Sequence, residues 1–261
     1  MPSFWHEVAR ALEGGQLAPK DGSSLRYVTN SGGALRSADS RVLRRCWPHV
    51  EVFAMYGLTE AFRSAYLPPG EFDAAPESFG YALEGVELLL VCPASGELLE
   101  GAATGELVHA GAFVASGYWG LPEETKLRFR PDPRGGSGVV VFSGDLVRRD
   151  SCGRHAFVGR LDRMIKVHGH RVSPDEVTQA VVGADGVGEV AVVSLGGGAG
   201  GDRIVLFCAG DPSDAALKHQ LGRRCRAKLP SYMQPAEIRV LPQLPHNANG
   251  KVDDGALRGM L

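Results

Sequence analysis

Tyr56-Gly57-Leu58-Thr59-Glu60 places a flat ring, a glycine, a hydroxyl and a carboxylate within five residues. A ring next to a glycine suits a planar ligand that approaches the backbone closely. A threonine hydroxyl can donate to a phosphate, and a glutamate is a hard oxygen ligand of the kind Mg²⁺ takes alongside phosphate oxygens. Asp145, in Ser143-Gly144-Asp145-Leu146, offers two acceptor oxygens that suit a pair of vicinal hydroxyls, and Arg160 can add a fixed cation. Lys251 follows Asn249-Gly250, so its ammonium sits on the tip of a turn, where it could meet negative charge that moves during a reaction. Each feature has a plainer reading as well. A Tyr-Gly pair alone is a strand end, an aspartate after glycine is a turn residue, and Arg160 with Asp162 could be a surface ion pair.

The elements that must position these groups follow from pattern and punctuation. Phe4, Val8 and Leu12 recur at four-residue spacing and predict an N-terminal amphipathic helix. Arg26 to Thr29 is β-prone, Asn30 to Gly33 has turn chemistry, and a helix from Ser37 to Cys46 leads to a strand over Glu51 to Met55: an α/β crossover. Short strands then alternate with Gly, Pro and Asp turns (Val86–Val91, Gly105–His109, Val139–Phe142, Leu146–Arg149), which predicts a small antiparallel barrel or sheet. A second module begins near Gly159. Its first helix carries three agreeing start signals in Ser173, Pro174 and Glu176. Strands over Glu189–Leu195 and Arg203–Cys208, a helix with Leu217, Leu221, Cys225 and Leu229 on one face, and a strand over Glu237–Leu241 complete an α+β unit. Gly196, Gly198 and Gly201 satisfy G-x-G-x-x-G, but a strand follows them where a dinucleotide fingerprint needs a helix, so they are expected to be a hairpin connection.

Composition narrows the classes of function. A net charge of -2 over 261 residues gives no basic field for nucleic acid, and no stretch approaches the apolar length of a membrane span. Five cysteines without a C-x-x-C suggest neither a disulfide framework nor a zinc knuckle, and a reducing cytoplasm is the expected setting. His168 and His170 could share a strand face, yet two ligands make a poor metal site.

In order and spacing the segments resemble the later core motifs of the AMP-forming, adenylate-forming superfamily of acyl-CoA synthetases, luciferases and nonribosomal-peptide adenylation domains. Asn30 to Leu35 resembles the family's glycine segment. Met55 to Glu60 resembles Y-G-x-T-E, and Gly105-Glu106-Leu107 with Gly117-Tyr118 and Thr125 to Phe129 resembles G-E-L…G-Y…T…R-F. Ser143 to Leu146 resembles T-G-D, Gly159 to Lys166 with Gly169 to Val172 the hinge motif, and Asn249 to Lys251 the final N-G-K. Met55 to Pro69 together with Gly169 to Pro174 looks most like the acyl-CoA ligases associated with exosortase systems.

The resemblance implies a fold of mixed class, α/β and α+β. Residues 1–161 would be the distal part of a large AMP-binding domain, a crossover plus a small β-barrel, and 162–261 a small C-terminal domain. It implies ATP or AMP, Mg²⁺ and coenzyme A as cofactors, with Gly32, Gly33, Tyr56, Gly57, Asp145 and Arg160 around the nucleotide and Thr59, Glu60 and Lys251 at the reacting phosphate. Glu60 would be the metal ligand and Asp162 the hinge, about which Lys251 is exchanged for the Lys166 to Arg171 loop; there Gly169 leaves room for a pantetheine arm. The reaction joins a carboxylic acid to AMP and then passes the acyl group to a thiol, either coenzyme A or a phosphopantetheinyl carrier protein; a non-catalytic binding module is the remaining alternative. Arg223, Arg224, Arg226 and Lys228 would be a solvated helix face, or would meet phosphates of that acceptor. The family's Ser/Thr/Gly-rich phosphate loop, which should precede Gly32, does not occur in the 261 residues. The polypeptide alone is therefore expected to have little ATP-dependent adenylation.

Overall fold

The computed structural model describes the chain except residues 1, 36, 136–137, 168–169, 184–186, 197–202 and 248–251. It divides into two compact units, Met1–Phe157 and Val158–Leu261.

The first unit opens with α1 (Pro2–Glu13), β1 (Tyr27–Asn30), α2 (Ser37–Cys46) and β2 (Glu51–Leu58). β1 and β2 pair in parallel with Asn30 opposite Ala54, so the predicted crossover is present. Val28, Val52 and Leu67 of the sheet pack with Val42 and Leu43 of α2 and with Trp47 just beyond it, and each such buried side chain contributes roughly 1.5–3 kcal/mol of transfer free energy. The remaining strands are β3 (Ala61–Leu67), β4 (Ser78–Ala82), β5 (Val86–Val91), β6 (Leu98–Leu99) and β7 (Ala103–Gly111). After α3 (Pro122–Arg128) come β8 (Phe129–Pro131), β9 (Val139–Arg149) and β10 (His155–Arg160). They pair antiparallel into one sheet of order β1-β2-β3-β4-β10-β9-β7-β5-β6, with β8 on β9.

Three expectations are corrected here. β2 continues to Leu58, past the predicted end at Met55, because β3 pairs along it through Tyr56 and Leu58. The two predicted strands around Ser143-Gly144-Asp145 are a single strand, β9. The register steps from Glu106 opposite Leu146 to Val108 opposite Phe142, so Ser143 to Asp145 form a bulge across from Leu107. Turn-like composition at a bulge reads, in sequence, as a loop. Lys166 and Arg171, predicted to lie in a loop, stand instead in two antiparallel strands, β11 (Ile165–Val167) and β12 (His170–Val172), and pair with each other.

The second unit continues with α4 (Pro174–Val181), whose N-cap Ser173 accepts from the Glu176 amide at 3.4 Å as its start signals predict. β13 (Val190–Leu195) and β14 (Arg203–Ala209) are antiparallel, which places a strand after the glycine run. α5 (Ala215–Lys228) buries Leu217, Leu221 and Cys225, β15 (Glu237–Leu241) lies parallel to β14, and the sequence pattern did not reveal α6 (Asp254–Arg258). Among the described residues no helix is long and apolar enough to cross a membrane.

Candidate active site

The bulge in β9 aims Asp145 at Tyr56. Ser143 Oγ donates to the Leu107 carbonyl at 2.6 Å and accepts from the Asp145 amide at 3.0 Å, while the Gly144 amide donates to Glu106 at 3.0 Å. Gly144 is required there. Its φ is +72°, and an added β carbon would lie 2.2 Å from the Arg128 guanidinium. So held, the buried Asp145 carboxylate accepts a short hydrogen bond from the Tyr56 hydroxyl, 89 residues away in sequence.

Tyr56 is fixed as firmly on its other side. Its ring stacks on Phe79 with centroids 4.3 Å apart and lies parallel to His109 at 5.8 Å, and Phe79 in turn stacks on His155 at 6.0 Å. His109 is fully buried, and neither ring nitrogen has a hydrogen-bond partner among the described residues. Burial, with the neighbouring His155 second, lowers its pKa to about 3, so the imidazole is neutral at physiological pH. Burial also lowers His155, although its Nδ1 lies 3.1 Å from the Gly80 carbonyl. His109 lies within the Gly105 to His109 strand of the sequence reading but was given no role; its pairing with Leu107 on one face of a buried strand was the available signal.

Thr59 and Glu60 form the turn that ends β2, with Thr59 exposed and Glu60 half-buried. The Tyr118 hydroxyl donates to Glu60 Oε1, and the Ala115 amide donates to the Glu60 carbonyl at 2.8 Å. Gly57 meets the chain itself: an added β carbon would lie 2.4 Å from the Arg63 amide nitrogen, so the room it leaves is filled by β3. The β2–β3 register shifts between Tyr56 and Leu58, and Arg63, at φ +42°, is the strained residue opposite that shift. Gly32 and Gly33 form an exposed turn after β1, tied by Asn30 Nδ2 to the Gly33 carbonyl at 2.8 Å. On β3, Ala61 and Ser64 are buried whereas Phe62 is exposed.

In the second unit Arg160 and Asp162 pair with each other, Nη2–Oδ2 at 2.9 Å and Nε–Oδ1 at 3.2 Å. Arg163, not foreseen as functional, pairs with Asp254 and lies 4.0 Å from Asp175. Asp162, Arg163 and Asp254 border a cleft of about 230 Å³ with Ile165, Val192 and Arg258. Lys166 is exposed, and His170 stacks on Tyr232 at 4.1 Å. Gly169, His168, Asn249, Gly250 and Lys251 lie outside the described residues. Among the described residues no group of three potential metal ligands gathers. A planar ring beside a carboxylate with two acceptor oxygens is the chemistry a nucleotide's base and ribose would need at the Tyr56 and Asp145 pair, and Glu60 offers one oxygen not engaged by Tyr118, a donor suited to a hard cation that keeps most of its ligands as water and phosphate.

Two family models match the chain, one described as AMP-binding enzyme over residues 1–119 and one as AMP-binding enzyme C-terminal domain over residues 176–251. The chain is 34% identical over 247 residues to the delta-poly-L-ornithine synthetase of Acinetobacter baumannii, covering 93% of this chain and 18% of that protein. It is 30% identical over 259 residues to the L-proline--[L-prolyl-carrier protein] ligase of Streptomyces coelicolor, covering 96% of this chain and 48% of that protein. In structure it resembles ATP-bound MatB from Rhodopseudomonas palustris, with a TM-score of 0.83 at 25% identity over 99% of this chain and 49% of that one. An anthranilate CoA ligase, AuaEII, in complex with anthranoyl-AMP gives a TM-score of 0.77 at 28% identity, covering 91% of this chain and 45% of that chain. The chain belongs to the AMP-binding, adenylate-forming ligase family. It spans half or less of the length of these relatives.

Proposed function

We propose that the chain is the distal part of an AMP-forming acid–thiol ligase, with coenzyme A as the acceptor. The hydrogen bond that joins Tyr56 to Asp145 carries this reading, because it brings two motifs 89 residues apart together, a ring beside paired acceptors. In the first half-reaction the face of Tyr56 holds the adenine, Asp145 accepts from the ribose hydroxyls and Thr59 donates to the α-phosphate. Glu60 would hold Mg²⁺, which when bound neutralises phosphate charge. Lys251 orients the substrate carboxylate against the α-phosphate and stabilises the charge that develops as pyrophosphate leaves. In the second half-reaction the hinge at Asp162 exchanges Lys251 for the segment of Lys166, Gly169 and Arg171, which admits the thiol.

A second reading takes a carrier protein's phosphopantetheine as the acceptor. It is supported by the names of the sequence relatives, which include surfactin synthase subunit 2 and the prolyl-carrier-protein ligase. Fusing residues 1–261 to a family N-terminal half that bears the phosphate loop tests both. Acid-dependent ATP–pyrophosphate exchange that falls in Thr59→Ala, Asp145→Ala and Lys251→Ala supports the ligase reading, and exchange unchanged in all three contradicts it. Acyl transfer to free coenzyme A then favours the first acceptor; transfer to a loaded carrier alone favours the second.

A further inference from the structure

We propose that Tyr118 is a positioning residue for Glu60, holding that carboxylate so that one defined oxygen faces a divalent cation bound with the nucleotide phosphates. This rests on the reading of Glu60 as the metal-holding residue and adds the group that aims it. Tyr118 lies 58 residues from Glu60 in sequence, and its hydroxyl donates to Glu60 Oε1.

The tyrosine is itself anchored through its backbone and its ring. Its amide donates to Thr125 Oγ1 at 2.9 Å, and that hydroxyl donates to the Leu121 carbonyl at 2.8 Å. Its ring meets Phe129 edge-on, with centroids 5.5 Å apart and planes at 86°. The segment leading to it is stitched to the Glu60 turn by the Ala115 amide on the Glu60 carbonyl and by the bridge between Ala61 and Val114. Glu60 is thus held through backbone and side chain by one segment. With Oε1 engaged, Oε2 is the oxygen left to ligate, which makes the carboxylate a one-oxygen ligand. That suits Mg²⁺, whose near-octahedral shell takes single carboxylate oxygens among waters and phosphates. A hydrogen bond from outside the ligand shell that fixes a ligating carboxylate is the arrangement that tunes metal affinity.

The test uses the full 261-residue chain with Mn²⁺ and ATP, following bound Mn²⁺ by electron paramagnetic resonance. Tyr118→Phe keeps the ring on Phe129 and removes only the hydroxyl, and it is expected to weaken Mn²⁺–ATP binding about tenfold with an unchanged melting curve. Glu60→Gln should weaken it at least as much. Should Tyr118→Phe lower the melting temperature, Thr125→Val, which leaves the hydroxyl but removes its backbone anchor, must shift Mn²⁺ affinity in the same direction. If Glu60→Gln weakens binding while Tyr118→Phe and Thr125→Val leave it as in the unchanged chain, the positioning role is overturned and the metal reading of Glu60 stands. If the unchanged chain binds no Mn²⁺–ATP, or Glu60→Gln binds it equally well, both are overturned.

Discussion

Acidification should destabilise the first unit through a buried histidine before Asp132 and Asp150 respond. His109 is fully buried without a hydrogen-bond partner among the described residues, and its pKa falls from an ordinary 6.5 to about 3. A base whose folded pKa is depressed is bound by protons more tightly in the unfolded chain. Its contribution is therefore complete above about pH 6.5 and is lost as the pH falls toward 3. At about pH 4.5, two units below the ordinary histidine value, the loss from this one group is about 2–3 kcal/mol, at 1.36 kcal/mol per unit. That is a large share of a typical domain stability of roughly 5–15 kcal/mol. His155, also lowered by burial, adds in the same direction. Asp132 and Asp150 are held below the usual carboxylate range, by hydrogen bonds from Arg134 and, against an opposing burial penalty, by hydrogen bonds from the Arg154 side chain and backbone. They respond only at lower pH. Trp5, Trp47 and Trp119 all lie in the first unit, so tryptophan fluorescence during urea unfolding reports on it selectively. His109→Phe keeps a flat ring against Tyr56 and removes the proton site, so between about pH 7 and 4.5 it should lose about 2–3 kcal/mol less than the unchanged chain. Parallel stability curves for the two proteins would refute the reasoning.

Tyr56→Phe takes the hydroxyl from a buried carboxylate and should cost about 1–3 kcal/mol of first-unit stability, measured by the same urea unfolding. Gly57→Ala forces a β carbon to within 2.4 Å of the Arg63 amide nitrogen. A loss of about 1–3 kcal/mol is expected from that overlap, seen as a lower denaturant midpoint. Burial pushes the Cys208 and Cys225 thiols up, whereas Cys152 is exposed. Native-state alkylation followed by mass spectrometry should therefore label Cys152 and spare Cys208 and Cys225 until urea opens the second unit.

Local chemistry was legible where one segment decides its own structure. The Ser173 cap, the apolar stripe of α5 and the crossover from β1 through α2 to β2 all follow from spacing and punctuation. Non-local pairing was not. Ser143-Gly144-Asp145 has the composition of a turn, and only β7 alongside it makes a bulge of it. Gly57 reads as room for a ligand until β3 folds back into the same space. α6 spans too few residues to show a helical period. Of the site, Tyr56 and Asp145 were named for the nucleotide and are joined, while the supports that fix them, His109, Phe79 and Ser143, draw their roles from strands distant in sequence. Tyr118 stood in a quoted motif without a function, because nothing in Gly117-Tyr118 points to a glutamate 58 residues earlier.

The central claim, that Tyr56 and Asp145 together form a mononucleotide pocket, is tested most directly by saturation-transfer NMR of AMP with the purified chain. Irradiating the protein should transfer saturation to the adenine and ribose protons of AMP, and Asp145→Ala should abolish the transfer. No transfer with the unchanged chain, or transfer equally strong with Asp145→Ala, would contradict the account.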